Sequence, residues 1–239
     1  GHLATTDGGR IETANFYSTL DGSTSAGALT IDSGSVVRVT GTLELRGPIM
    51  NQGTIQLDGY SGRIAARNVT LSGGGEVEMA FDVPSGTQYR DALIQGTDQN
   101  ATGRLINVDN LIHGSGQIGR QQAPIGMGQS EAIRLSLENR TDGIIAADEV
   151  GSSLTLQGLE SFRNAGLMRA EAGATLRISA GAGGVATGYV DESQVLNNQD
   201  GLLLATGTGS LVELLGNTRT MTVEGGTLEG RSGGEIRLM

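Results

Sequence analysis

Short apolar runs, separated by turns rich in Asn and Gly, recur along the whole chain. Apolar and polar residues alternate inside many of these runs, for example at residues 36–39, 55–57 and 77–79. Such alternation is typical of strands that bury one face. No segment has the capped period of 3.6 residues that indicates a helix. The pattern therefore predicts an all-β protein made of short strands.

A cycle in which Asn and Gly lead into an apolar run gives the larger organisation. It occurs at residues 51–57, 139–145, 164–168 and 198–204, and a second apolar run follows each of the last three. Such a short cycle cannot bury its apolar side chains alone and needs similar neighbours stacked above and below it. The sequence therefore predicts a β-solenoid in which Asn side chains form a ladder inside a turn.

The spacing of equivalent residues predicts the size of one coil. Ile144 and Leu167 are 23 positions apart, and Leu154 and Leu176 are 22 apart. Three strands of about five residues with three corners need about that length. With a strand spacing of about 4.8 Å, eight to ten coils would form a rod roughly 40 to 50 Å long. We expect Leu156, Leu176, Ile178 and Leu204 to face its interior.

The chain is interpreted as one continuous array with a short lead-in. Residues 1–28 are predicted to be an N-terminal lead-in or cap, with Gly1 and His2 left from a tag, and residues 29–239 form the solenoid. A short strand is expected around residues 92–94. Three excursions from the repeat are predicted, near residues 81–103, 120–131 and 181–192.

Composition and charge exclude several classes of protein. Glycine occurs 40 times but proline only three times and without a triplet period, so the chain is not collagen-like. Cysteine is absent, which excludes disulfides and Cys-ligated zinc. The net charge of −10 disfavours nucleic acid and anionic membrane surfaces as partners. All sixteen basic residues are Arg, and no clustered Arg is expected that could bind the carboxylates of polyanions such as pectin or alginate, so turnover of such polymers is not expected.

Two stretches carry a resemblance to a known family. Residues 107–119, Asn-Val-Asp-Asn-Leu-Ile-His-Gly-Ser-Gly-Gln-Ile-Gly, and residues 139–146, Asn-Arg-Thr-Asp-Gly-Ile-Ile-Ala, resemble the repeats of bacterial autotransporter passengers and filamentous-haemagglutinin-type exoproteins. The similarity covers roughly residues 35–239. It implies a right-handed parallel β-helix with about three short strands per coil and loop excursions, and it supplies no catalytic residue.

The resemblance implies a segment of a bacterial cell-surface or secreted adhesin or stalk, which is not an enzyme. Its partner would be a host or matrix surface ligand such as a glycan, with neither nucleic acid nor membrane insertion involved. The alternative is a phage tailspike-like or carbohydrate-active β-helix that binds or cleaves polysaccharide. An enzyme should gather several carboxylates or Arg residues around one groove, whereas a stalk should not.

The candidate ligand-binding residues are Phe81, Tyr89, Arg90 and Asp91, in the first excursion. Aromatic residues make up only 3% of the chain, and this cluster combines two of them with charged hydrogen-bonding groups. An aromatic ring beside such groups can stack on a sugar and bind its hydroxyls. The alternative role for Phe81 is to fill the core where the excursion begins.

Two other groups could carry chemistry. Glu76 and Glu78 lie two apart on one predicted strand and project to the same side. With Asp58 on a nearby coil they could act as an acid/base pair on a glycoside, although an exposed acidic face is the simpler interpretation. His113 is expected at a corner or on a solvent-facing side, without a Ser or Cys nucleophile beside it.

No cofactor is predicted, and calcium is the one ion that the composition leaves open. Carboxylate and amide oxygens at corners are suitable calcium ligands, but the Gly-Gly-x-Gly-x-Asp repeat of calcium-binding β-rolls is missing. The candidate ligands are Asp98, Asn100, Asp109, Asn110, Asp191 and Glu192.

Overall fold

The computed structural model describes residues 1–13, 17–58, 61–81, 92–97, 102–119, 133–180, 194–216 and 220–239. These residues form 25 strands and no helix, so the all-β prediction is confirmed for this part of the chain. Within it, no helix has the length and apolar character needed to cross a membrane.

The strands are short and are spread evenly over the described chain. They are β1 His2–Leu3, β2 Ile11–Glu12, β3 Tyr17–Asp21, β4 Leu29–Ile31, β5 Val36–Val39, β6 Thr42–Asn51, β7 Thr54–Asp58, β8 Arg63–Ser72, β9 Glu76–Phe81, β10 Leu93–Gly96, β11 Gly103–Asn107, β12 Leu111–Gly114, β13 Gly116–Gly119, β14 Leu135–Asn139, β15 Ile144–Ala147, β16 Ser153–Gln157, β17 Ser161–Asn164, β18 Leu167–Ala170, β19 Thr175–Ser179, β20 Gln194–Asn197, β21 Leu202–Thr206, β22 Leu211–Leu215, β23 Met221–Glu224, β24 Thr227–Arg231 and β25 Glu235–Leu238.

The strands stack into three parallel faces. Face 1 is the nine-stranded sheet β2-β5-β7-β9-β12-β15-β18-β21-β24. Face 2 contains β3, β10, β13, β16, β19, β22 and β25, and face 3 contains β1, β4, β11, β14, β17, β20 and β23. The long strands β6 and β8 run from face 2 into face 3 and join these two faces into one sheet of 16 strands. The chain thus visits faces 1, 2 and 3 in turn, which confirms the β-solenoid.

The register between coils agrees with the sequence spacing. Leu154 pairs with Leu176, and Ile144 pairs with Leu167, in parallel ladders. The prediction of three strands per coil is therefore confirmed. The nine strands of face 1 give nine coils, and at about 4.8 Å per coil the stack is about 40 Å long.

Inward side chains form continuous columns, because each residue lies directly above its register partner on the preceding coil. The column on face 1 runs through Val37, Ile55, Val77, Ile112, Ile145, Met168 and Leu203, all at most 2% exposed. The column on face 2 includes Ile118, Leu156, Ile178 and Leu214. These aliphatic columns are the core.

Three of the four predicted core positions are confirmed and one is wrong. Leu156, Leu176 and Ile178 are fully buried in the core. Leu204 is also buried, at 9% exposure, but it pairs with Arg169 on the outward side of face 1, while Leu203 pairs with the core residue Met168. Alternation along a strand places adjacent residues on opposite sides. In a run of three Leu residues, the sequence alone does not show which one points inward.

The corner between face 3 and face 1 contains the predicted asparagine ladder. The side-chain amides of Asn107, Asn139 and Asn164 each donate to the side-chain oxygen of the Asn on the next coil, at 2.8–2.9 Å, and the last acceptor is Asn198. All four residues are fully buried. Since buried amides need partners, the ladder satisfies groups that the apolar core cannot.

Connections at this corner are short, as at residues 140–143 and 165–166, whereas insertions fall at the other two corners. The segment 82–91 lies between β9 on face 1 and β10 on face 2, and segments 120–132 and 181–193 lie between face 2 and face 3. The short strand predicted around residues 92–94 is β10, which is paired with β8 and β13. Within the predicted lead-in, β1, β2 and β3 already pair with β4, β5 and β6.

Candidate functional site

The outward side of face 1 gathers acidic and imidazole groups where β9, β12 and β15 lie side by side. Glu76 and Glu78 both point outward, with the buried Val77 between them, so the prediction that they share a side is confirmed. Glu78 is the register partner of His113 on the next coil. Gln56, on the preceding coil, donates from Nε2 to Glu78 Oε2 at 2.9 Å.

His113 is held by an aspartate from the coil above. Its Nδ1 lies 2.8 Å from Oδ2 of Asp148, which directly follows β15. Only 19% of the His113 side chain is exposed, and its Nε2 is buried without a hydrogen-bond partner. The ring therefore lies on the solvent side of its strand, as predicted, but packed against its neighbours.

The charges around His113 favour its protonated form. Burial by itself would lower the pKa of His113, but the hydrogen bond to Asp148 and the negative charges of Asp148, Glu78 and Glu76 raise this pKa above its usual value. Burial would likewise raise the pKa of Asp148, yet the contact with His113 and hydrogen bonds from backbone N–H groups lower it. Both shifts favour an ion pair between the two side chains.

The carboxylates around His113 can orient its imidazole, but among the described residues this group of side chains contains no Ser or Cys nucleophile. Asp148 at Nδ1 fixes the ring and would leave Nε2 as the atom that exchanges a proton. That atom is enclosed. Asp58 does not join the pair Glu76 and Glu78: its register partner is Phe81, and it lies 3.5 Å from Nη2 of Arg38.

A shallow polar groove runs along face 2. It has a volume of 330 Å³ and is lined by Gln117, Thr155, Gln157, Arg177, Ser179, Glu213, Leu215 and Met239. Across it, Arg177 Nε donates to Glu213 Oε2 at 2.8 Å, which links β19 to β22. An ion pair between coils therefore crosses the groove and occupies its two charged groups.

The candidate ligand-binding cluster falls mostly outside the described residues. Phe81 ends β9, at the point where the chain leaves face 1, whereas Tyr89, Arg90 and Asp91 belong to segment 82–91, which the structure does not describe. Binding by this cluster stays a prediction.

Two of the calcium candidates have structural partners. Asp109 Oδ1 accepts from the backbone N–H of Gly74 and from Asn110 Nδ2, both at 3.1 Å. Asn110 also accepts from Asn51 within the corner. Asp98, Asn100, Asp191 and Glu192 lie outside the described residues, and in the described part no group of three or more His, Cys, Asp or Glu side chains could hold a metal ion.

An arginine cluster on face 3 was missed by the sequence analysis. Three guanidinium groups approach the carboxylate of Glu138: Arg104 at 2.8 Å, Arg140 at 3.0 Å and Arg163 at 3.9 Å. The prediction that the chain has no clustered Arg is therefore wrong. The three arginines are far apart in sequence, and the register of β11, β14 and β17 brings Arg104 and Arg163 to Glu138 and its neighbour Arg140.

Comparison with known proteins gives no relative: no family model, no curated protein and no solved structure matches the chain.

Proposed function

We propose that this chain is a non-catalytic segment of a bacterial cell-surface or secreted β-helical protein, which acts as an adhesin or as the stalk that presents one. The observation that carries the proposal is the stack of nine coils in the part of the chain that the structure describes. Each coil is bound to the next by backbone ladders, aliphatic columns and buried Asn side chains. Such a stack is a rod of fixed length with long outer faces, which suits the display of binding surfaces.

The state of the acidic groups on face 1 supports a non-catalytic role. His113 Nε2 is enclosed, Glu78 is bonded by Gln56, and Asp58 lies against Arg38. A general acid or base must reach the proton that it transfers. Here, the groups with suitable chemistry hold neighbouring coils together.

Attachment is proposed to centre on the first excursion, through Phe81, Tyr89, Arg90 and Asp91. Solenoids usually place recognition on insertions, because the backbone of their strands is committed to stacking. The fold limits which residues can be removed in a test. Ala92, Leu93 and Ile94 are at most 1% exposed and form part of the stack, so only residues 82–91 should be deleted.

The test replaces residues 82–91 with a two-residue corner like Thr40-Gly41, which joins β5 to β6. Binding to host cells and to a glycan array should fall at least tenfold, while the far-UV spectrum and melting temperature stay nearly unchanged. The matched control replaces residues 120–132 in the same way and should retain binding. Full binding after loss of 82–91 would contradict recognition by this excursion.

The second candidate, a carbohydrate-active β-helix, is favoured by one observation: Glu76, Glu78, His113 and Asp148 meet on face 1. Release of reducing ends from neutral and acidic polysaccharides distinguishes the two functions. No release is expected from the intact protein. Release that disappears in Glu78→Gln, but not in the control Glu235→Gln on face 2, would establish the enzyme instead.

A further inference from the structure

Face 3 carries a concentration of positive charge on a protein that is acidic as a whole. Arg104, Arg134, Arg140 and Arg163 lie on three successive coils, and in the described part of the chain their ion-pair partners are Glu138 and Glu160. We call these four arginines the arginine patch. Among the described residues, four guanidinium groups face two carboxylates, which gives the patch an excess of positive charge, whereas the whole chain has a net charge of −10.

Glu138 uses only a few of the N–H donors of the arginine patch. Arg104 uses Nη2 and Arg140 uses Nε to bind Glu138, while Arg163 stands 3.9 Å away. Each guanidinium has five N–H donors, so most of them are not used by this carboxylate. About half of each side chain is exposed, at 53%, 48% and 52% for Arg104, Arg140 and Arg163.

Glu138 shows which ligand chemistry the patch accepts. Its side chain is only 18% exposed, beneath the guanidinium groups. Burial would raise its pKa, but the hydrogen bonds and charges of Arg140 and Arg104 lower it, so it is ionised at neutral pH. A carboxylate is therefore already bound here, and the planar arginine fork suits a second carboxylate from solution.

The patch follows the axis of the solenoid. Arg104 pairs in register with Ser136, Ser136 with Ser161, and Glu138 with Arg163. With about 4.8 Å between strands, these guanidinium, hydroxyl and carboxylate groups form a strip that spans three coils. We propose that this strip binds an anionic polysaccharide whose repeating units carry carboxylates. This site is separate from the first excursion, so it goes beyond the attachment function proposed above.

The surroundings favour a polysaccharide over other polyanions. None of the exposed large apolar side chains lies on β11, β14 or β17, and the one aromatic residue of these strands, Phe162, is buried. Single-stranded nucleic acids are bound by stacking on aromatic side chains, and peptides by apolar anchors. Serine hydroxyls beside arginines instead suit a chain of sugar hydroxyls and carboxylates.

Binding to polygalacturonate tests the proposal, with fully methyl-esterified polygalacturonate as the uncharged control of the same backbone. At about 0.15 M salt the Debye length is about 8 Å, so the distant acids of the chain are largely screened. The wild-type protein should bind the acid form and not the ester. The double variant Arg104→Gln/Arg163→Gln should lose at least tenfold in affinity, with unchanged melting temperature.

Two further variants separate binding from structure. Arg237→Gln, which removes the partner of Glu235 on face 2, should retain full affinity. Glu138→Gln removes the carboxylate that competes for the arginines and should bind several-fold more tightly. Equal binding of the ester, unchanged affinity in the double variant, or weaker binding by Glu138→Gln would overturn the proposal. Tighter binding of poly-glutamate or single-stranded DNA than of polygalacturonate would also overturn it.

Discussion

Asn51 donates from its side-chain amide to the side-chain oxygen of Asn110, at 2.9 Å, although the two residues belong to coils that are not adjacent. The corner of the coil between them is the glycine run at residues 73–75. A Cβ on Gly75 would lie 2.8 Å from the Asn51 amide and 2.5 Å from the backbone oxygen of Gly53. The missing side chain lets the Asn51 amide reach past this corner to Asn110.

Replacing Gly75 by Ala should therefore destabilise the protein by about 3 kcal/mol or more, because the new methyl group meets backbone as well as Asn51. Gly74→Ala is the matched control. Gly74 has a φ of +72° but open space around its Cβ position, so the expected loss is only the backbone cost of about 1–2 kcal/mol. Urea unfolding measures the loss in unfolding free energy for both variants. Equal losses would show that the space beside Asn51 is not required.

Removal of one asparagine from the middle of the ladder should cost more than removal of a surface asparagine. Asn139 accepts from Asn107 and donates to Asn164 and to the backbone oxygen of Gly143. Asn139→Ala should lower the free energy of unfolding by about 1–3 kcal/mol for each buried group left unpaired. Asn197→Ala, exposed on β20, should change it by less than about 0.5 kcal/mol. Similar values for both variants would contradict the ladder.

Adjacent leucines on β21 should differ in their contribution to stability. Leu203 is fully buried in the core, whereas Leu204 lies on the outward side at 9% exposure. Leu203→Ala should cost about 2–5 kcal/mol, as filled core positions do, and Leu204→Ala should cost less. Thermal and urea unfolding of the two variants compare the stability contributed by the inward and the outward leucine. A larger loss of stability for Leu204→Ala would show that Leu204, not Leu203, faces the core.

The pair His113 and Asp148 should make stability depend on pH. The pKa of His113 is raised on folding, so its contribution is complete below its unfolded value of about 6.5 and is lost as pH rises through the folded pKa. The pKa of Asp148 is lowered, so its contribution is present above about pH 3.9 and is lost as pH falls through the folded pKa. The pair therefore stabilises most between these limits.

His113→Gln measures this dependence. The loss in unfolding free energy relative to wild type should be larger at about pH 5.5 than at about pH 8.5. His2→Gln is the control, because His2 contacts Asp32 at 2.9 Å but 71% of its side chain is exposed, and exposed pairs contribute little. A loss for His113→Gln that is the same at both pH values would show that the ion pair adds nothing to stability.

Local sequence determined the architecture of this protein. Alternation in runs such as residues 153–157 defines strands, and the Asn-Gly turns define corners. The spacing of Leu154 and Leu176 matches their register in the stack. These features follow from the sequence because a parallel stack repeats one local rule, in which each coil buries the apolar side chains of its neighbours. The asparagine ladder follows for the same reason, since the Asn recurs at the same corner.

Tertiary structure decided which side chains from different coils meet. Between Arg104 and Glu138 the chain includes the insertion at 120–132, and between Glu78 and its register partner His113 it includes the one at 82–91. Insertions of different length change the number of residues per coil, so register cannot be counted along the sequence. The contacts of His113 with Asp148 and of Glu138 with Arg104 and Arg163 depend on that register and on the strand spacing of about 4.8 Å, which only the folded stack provides.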